Sequence, residues 1–208
     1  MALPRVIETV AGILGERLAM IGTSLGNSRW QKAALASAAI SGLTISRRLP
    51  HQVLHRLKAA AEMDSASLVV GEAKGSRTVT AVGPLGGALM DLSSEELDAL
   101  STLVTDIHSC YTADDVTGLG YVGTETLRTA GARAVVILPL WARHMRFGTL
   151  VLAHSRPTRL SADRVEPLEL LADHIASVLV PMLNPESGQV VTERMTTRRA
   201  KLEEPIQS

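Results

Sequence analysis

Aromatic side chains are scarce in this 208-residue sequence: Trp30, Trp141, Tyr111, Tyr121 and Phe147 are the whole set. A surface that stacks successive nucleobases on rings needs more than this. Net charge is also missing, because 21 Lys and Arg balance 21 Asp and Glu. The broad cationic field of a dedicated nucleic-acid binder is therefore absent. A single cysteine, Cys110, leaves no intramolecular disulfide and no multi-cysteine zinc or iron–sulfur site. It fits a reducing cytoplasm. Long apolar runs are lacking too. The uncharged stretch from Ala33 to Ser46 falls short of the ~20 residues that span a bilayer. Glu8 sits where a secretory signal would have to be apolar. These absences predict a cytoplasmic protein with no nucleic-acid and no membrane partner. At roughly 150 residues per domain, they leave one domain with an extension. With so few rings, the core must be built from Leu, Val, Ile, Ala and Met.

What is present divides into helical and extended segments. Val6, Val10, Ile13, Leu14, Leu18 and Ile21 form a one-sided stripe over Pro4 to Leu25. Three glycines weaken this helix, which predicts that it docks on something. A second helix is expected over Trp30 to Leu43, and a third begins at Pro50, a favoured first helical residue. The period then becomes extended: Ser67–Gly71 and Arg77–Val82 read as a hairpin. Gly83–Gly87 reads as a loop, and Ser93-Ser-Glu-Glu96 as a capped helix start. Tyr111–Gly123 is a polar loop, and Thr124–Thr129 a short helix ended by Ala130-Gly131. Ala134–Trp141 is apolar at nearly every position, as a strand buried on both faces would be. Ala142–Arg146 connects it to a returning strand, Phe147–His154. Ser161-Ala-Asp163 opens the last helix, and the chain after Pro185 is polar.

Four phrases in order carry a family likeness. Leu54-x-x-Leu57-x-x-x-Ala61 leading into Ala66-Ser-Leu-Val69 resembles the opening of a GAF domain. Ala130-Gly-Ala-Arg-Ala-Val-Val-Ile-Leu-Pro-Leu140 resembles that family's strand before its central turn, and Phe147-Gly-Thr-Leu-Val-Leu152 its following strand. Leu160-Ser-Ala-Asp163, continuing through Leu168, Leu171, Ala172, Ile175 and Ala176, resembles its closing helix. The resemblance covers about residues 32–183. It implies an α+β fold: an antiparallel sheet flanked by helices, one face on the terminal helices and the other covered over a small-ligand pocket. The implied organisation is a helical extension over 1–31, a sensory domain over 32–183, and a polar tail or linker over 184–208.

Gly118-x-Gly120-x-x-Gly123 matches a dinucleotide fingerprint, but no hydrophobic strand feeds it, so a pocket lid or a surface loop is the better reading. Cys110 offers a redox thiol or a chromophore attachment point. Bilin-binding relatives attach their chromophore near residues 120–126, where there is no cysteine, and a single cysteine cannot resolve itself. A small hydrophobe at a helix end is the plainer reading. Haem relatives take an axial histidine from the pocket lining, and Thr117–Thr129 holds none. His51 and His55, at i and i+4, lack complementary metal ligands and read as solvated. Of Asp114 and Asp115, only one can face inward from an extended segment. Arg128 and Arg133 either meet an anionic ligand or lie on the surface. The cyclic-nucleotide signature Asn-Lys-x-Phe-Asp-Glu does not occur.

The functional expectation is a non-enzymatic sensory module, since no nucleophile, base or metal set converges. Its pocket would be lined by segments 67–70, 119–127 and 135–151. The candidate contacts are Ser67, Val69, Asp115, Leu119, Tyr121, Thr124, Leu127, Arg128, Ile137 and Val151. A bound small molecule would order Gly118–Gly123 and act through the terminal helices, within a homodimer, on a signalling partner such as a kinase or transcription regulator. No cofactor is named by the sequence. A start at Met1 and a polar end at Ser208 favour a stand-alone module. The competing expectation is a dimerisation or docking module whose pocket is plugged by Leu119, Tyr121, Met145 and Phe147.

Overall fold

The computed structural model describes residues 28–44, 46–71, 77–104, 110–118, 124–142 and 145–183. The expected helix over Pro4 to Leu25 and the tail after residue 183 lie outside the described residues.

Two helices come first, α1 (Ser28–Ser41) and α2 (Leu49–Ala61). The expected boundary at residues 31 and 32 falls inside α1. Pro50 sits in the first turn of α2, where its missing N–H costs nothing. The hairpin follows as β1 (Ser65–Val70) and β2 (Arg77–Val82). Next come α3 (Gly86–Asp91) and α4 (Ser94–Thr102). The polar segment expected to be a loop contains a strand, β3 (Tyr111–Ala113), and a 3-10 turn, Val116–Gly118. α5 (Thr124–Thr129) leads into β4 (Ala134–Ala142), β5 (Met145–His154) and α6 (Ala162–Leu183).

The five strands form one antiparallel sheet in the order β2-β1-β5-β4-β3. This is the expected α+β architecture. β4 shows why its sequence lacks alternation. Val136, Leu138 and Leu140 face one layer, and Val135 and Ile137 face the other, all of them buried. The first layer consists of α1, α2 and α6. It brings Ile40, Leu54, Leu57, Leu171, Ile175 and Leu179 onto Leu68, Leu138, Leu150 and Leu152. The second layer consists of α3, α4 and α5, with Leu89, Leu97, Leu100 and Leu127 packed on Val69, Val135, Ile137, Val151 and Ala153. The aliphatic composition therefore supplies two separate cores, one on each side of the sheet.

Two local rules place the second layer. Ser93 caps α4: its Oγ accepts the Glu96 N–H at 3.2 Å, and the Glu96 carboxylate accepts the Ser93 N–H at 2.8 Å. The same Glu96 carboxylate accepts the Thr126 hydroxyl, which ties α4 to α5. Gly131, with φ +98°, ends α5 in a conformation that favours glycine, and the Ala132 N–H returns to the Leu127 carbonyl at 2.8 Å.

Candidate functional site

The second layer gathers most of the described side chains expected to line a pocket. The register places Ser67 on β1 opposite Val151 on β5, Val151 opposite Ile137 on β4, and Ile137 opposite Tyr111 on β3. Cross-strand partners share a face, so these four residues form one row across the sheet. Val69, Leu127, Ile137 and Val151 meet in a single buried cluster. Ser67 is fully buried on this face, and its hydroxyl has no hydrogen-bond partner among the described residues.

Other expected residues are placed elsewhere. Asp115 is exposed and holds Arg133 at 3.0 Å, while its carboxylate also accepts from Thr117. The Arg133 guanidinium, followed by the Thr117 hydroxyl and N–H, keeps this carboxyl well below the usual carboxylate range. Arg128 is exposed and pairs with Glu125 at 2.9 Å, three residues back on α5. Asp114 turns to the connection before α6, accepting the Leu160 N–H at 2.8 Å. None of these charges enters the second layer. Leu119 and Tyr121, the lid Gly118–Gly123 in its greater part, and the side chains of Thr124 and Met145 lie outside the described residues.

Phe147 differs from expectation. It packs against the helical layer of α1, α2 and α6, not in the pocket. The cause is a register shift at Leu140/Trp141, where the β4–β5 pairing is irregular, so strict alternation fails at this end of β5.

That irregular end carries polar groups the sequence did not single out. Arg146 is buried, and its Nη1 donates to the Ser101 carbonyl in the last turn of α4. A cation there satisfies a helix-end carbonyl and complements the negative end of the helix dipole. Beside it, the Thr149 and Ser101 hydroxyls lie 3.4 Å apart, both buried. The readable signal was a polar residue inside an apolar run: Thr149 between Gly148 and Leu150, and Ser101 directly after Leu100. Arg146 was expected in a connection, whereas β5 begins one residue earlier, at Met145.

The remaining titratable candidates are structural. Cys110 is half-buried against the helical core. Burial, and then the Glu169 carboxylate, pushes its thiol up to about 12, so it is held as the thiol and not the reactive thiolate. His51 and His55 are exposed neighbours with ring centres 4.6 Å apart. Among the described residues no three His, Cys, Asp or Glu side chains converge as a metal site. No helix among them is long and apolar enough to cross a membrane.

Comparison with known proteins agrees with this geometry. The model of the GAF domain family matches residues 49–180. The fold is similar to the GAF domain of a phosphoenolpyruvate-protein phosphotransferase from Coxiella burnetii, with TM-score 0.61 and 13% identity over 76% of this chain and 96% of that one. It is similar to the GAF domain of a putative sensor histidine kinase from Pseudomonas syringae, with TM-score 0.53 and 24% identity over 81% and 98%. It is also similar to the chromophore-binding domain of a bacteriophytochrome from Stigmatella aurantiaca, with TM-score 0.58 and 11% identity over 74% and 60%. A search of curated proteins gave no match.

Proposed function

This chain belongs to the GAF domain family, and we propose that it is a non-enzymatic sensory module that binds a small polar molecule on the sheet face covered by α3, α4 and α5. The observation that carries this reading is the Ser67 hydroxyl, fully buried and without a partner among the described residues. Leaving such a group unsatisfied costs about 1–3 kcal/mol, so a buried orphan hydroxyl calls for an explanation. A ligand acceptor or donor supplies one. The neighbourhood fits: an aliphatic row with a few fixed polar groups, Ser67, Thr149, Ser101 and Arg146, is the usual make-up of a small-molecule site.

The output runs through α1 and α6. These helices pack on the opposite face of the sheet, and a ligand that binds one arrangement more tightly shifts the population towards it. Leu35 stands 72% exposed on α1, which supports pairing with a second copy. Sensor kinases and phosphotransferases whose GAF domains share this fold supply the class of partner, a kinase or another regulator.

The second reading is a dimerisation or docking module whose covered face is filled by its own side chains. Leu89, Leu100, Leu127 and Ile137, all completely buried on that face, favour it. Native mass spectrometry of the freshly purified full chain separates the two. A defined extra mass, released on denaturation and lost in Ser67→Ala, supports the sensor. A dimer without adduct, together with a Ser67→Ala variant more stable than the parent, supports the self-filled module.

A further inference from the structure

A cavity of about 400 Å³ lies on the helical side of the sheet, between α1, the end of β4 and α6. Its volume falls in the range of small-molecule sites, about 300–1,000 Å³. Both tryptophans of the chain, Trp30 and Trp141, line it. So do Glu166, Glu169 and Asp173, and no lysine or arginine does so among the described residues. The spacing Glu166-x-x-Glu169-x-x-x-Asp173 puts the three carboxylates along one face of α6, with Leu170 between them. Like charges three and four residues apart destabilise a helix. No salt bridge among the described residues reaches any of the three.

We propose that this cavity binds a small organic cation, an amine or quaternary ammonium on an apolar body, with the carboxylates of α6 facing its charge and Trp30 and Trp141 its body. Glu169 is positioned by the Cys110 N–H, which donates to it at 2.9 Å. Partial burial, and then Glu169, hold the Asp173 carboxyl above its usual range, and a cation between the two carboxylates offsets the repulsion from Glu169. Trp30 is packed against Ala33, Ala34 and Leu170, so its ring is held in place before any ligand arrives. Aromatic faces attract an organic cation and leave a neutral isostere to hydrophobic contact alone. The site lies across the sheet from the Ser67 face, so this inference stands or falls independently of the proposed sensor.

Because both tryptophans of the chain line the cavity, intrinsic tryptophan emission of the full chain reports on it directly. The titrants are benzyltrimethylammonium, neutral benzyl alcohol and anionic benzenesulfonate. The expected result is a saturable change with the cation alone. Raising NaCl weakens it, and Glu169→Gln and Asp173→Asn each weaken it about tenfold, the worth of one contact to a charged group. Both substitutions keep the side-chain shape. Should either fail to fold, the salt dependence of the parent chain decides the matter. Three results overturn the proposal: an equal response to benzyl alcohol, no saturation by about 50 mM cation, or a response that appears only as dilution dissociates a dimer. The last would mean that a second copy covers the cavity.

Discussion

Gly148 is the position where a single methyl group tests the sheet. It lies on β5 opposite Val70 on β1 and Leu140 on β4. A Cβ built there would sit 2.6 Å from the Val69 carbonyl oxygen, about 0.8 Å short of the 3.4 Å at which ordinary contact begins. The obstacle is backbone in the adjacent strand, so no side-chain rotation relieves it. The β1–β5 ladder must open locally, which threatens neighbouring bonds such as Gly71 N–H to Phe147 carbonyl at 3.2 Å. Overpacking costs ~1–3 kcal/mol and each weakened hydrogen bond adds ~0.5–1.5 kcal/mol, so Gly148→Ala is expected to destabilise the fold by about 2–4 kcal/mol. In urea, at ~2 kcal/mol per molar for a domain of this size, the midpoint falls by ~1–2 M. Gly87→Ala is the control. It lies in α3 with nothing within 4 Å of its built Cβ and gains helix propensity of up to ~1 kcal/mol. A Gly148→Ala midpoint equal to or above the parent's would refute the reasoning, because the close approach of β1 to β5 would then not exist.

Further consequences follow from single groups. His174 is buried between α1 and α6, its Nε2 3.2 Å from the Ser41 hydroxyl, and burial lowers its pKa from the ordinary 6.5 in spite of the Ser37 carbonyl. The unfolded chain therefore binds the proton more readily, and stability is full above the ordinary value and declines as pH falls through it. Unfolding midpoints between about pH 7.5 and 5 should show this slope, and His174→Gln should flatten it. Ser93→Ala removes the α4 cap and should cost about 1 kcal/mol in a denaturant titration, whereas Ser93→Asp should retain most of the stability. Cys110, with its thiol pushed up to about 12, should resist iodoacetamide at mildly alkaline pH in the native protein and react once the chain is unfolded, as read by mass shift.

The elements that were legible share a property: their signals are local. The Ser93 cap, Pro50 at the start of α2, the Thr124–Thr129 helix and the doubly buried β4 each follow from a few adjacent residues. The elements that were not legible depend on partners distant in sequence. β3 is three residues long, and Tyr111-Thr-Ala113 carries no alternation to announce it. It is a strand because Val135, Val136 and Ile137 pair with it. α3 was hidden by Gly86-Gly87, poor helix formers that adopt the helix where Leu89 fills the second core.

The candidate site divides in the same way. Val69, Ile137 and Val151 were predictable as inward-facing strand residues because a side-chain period of two fixes their side of the sheet. Asp115 and Arg128 were not separable from pocket residues by type, because a charge reads alike whether it meets a ligand or a neighbour. Their outward ion pairs with Arg133 and Glu125 exist only in the fold. Phe147 went to the helical layer because a bulge interrupts alternation, and a bulge is a property of two paired strands.

The sequence by itself determined the class of fold and an aliphatic core with room on both sides of the sheet, since periodicity and composition act along the chain. Tertiary structure alone decided which charges face inward, where Arg146 and the Ser67 hydroxyl are buried, and that both tryptophans line one cavity with three carboxylates of a single helix. Those outcomes depend on distances between residues far apart in the chain, and such distances come into being only when the sheet has paired and its helices have packed.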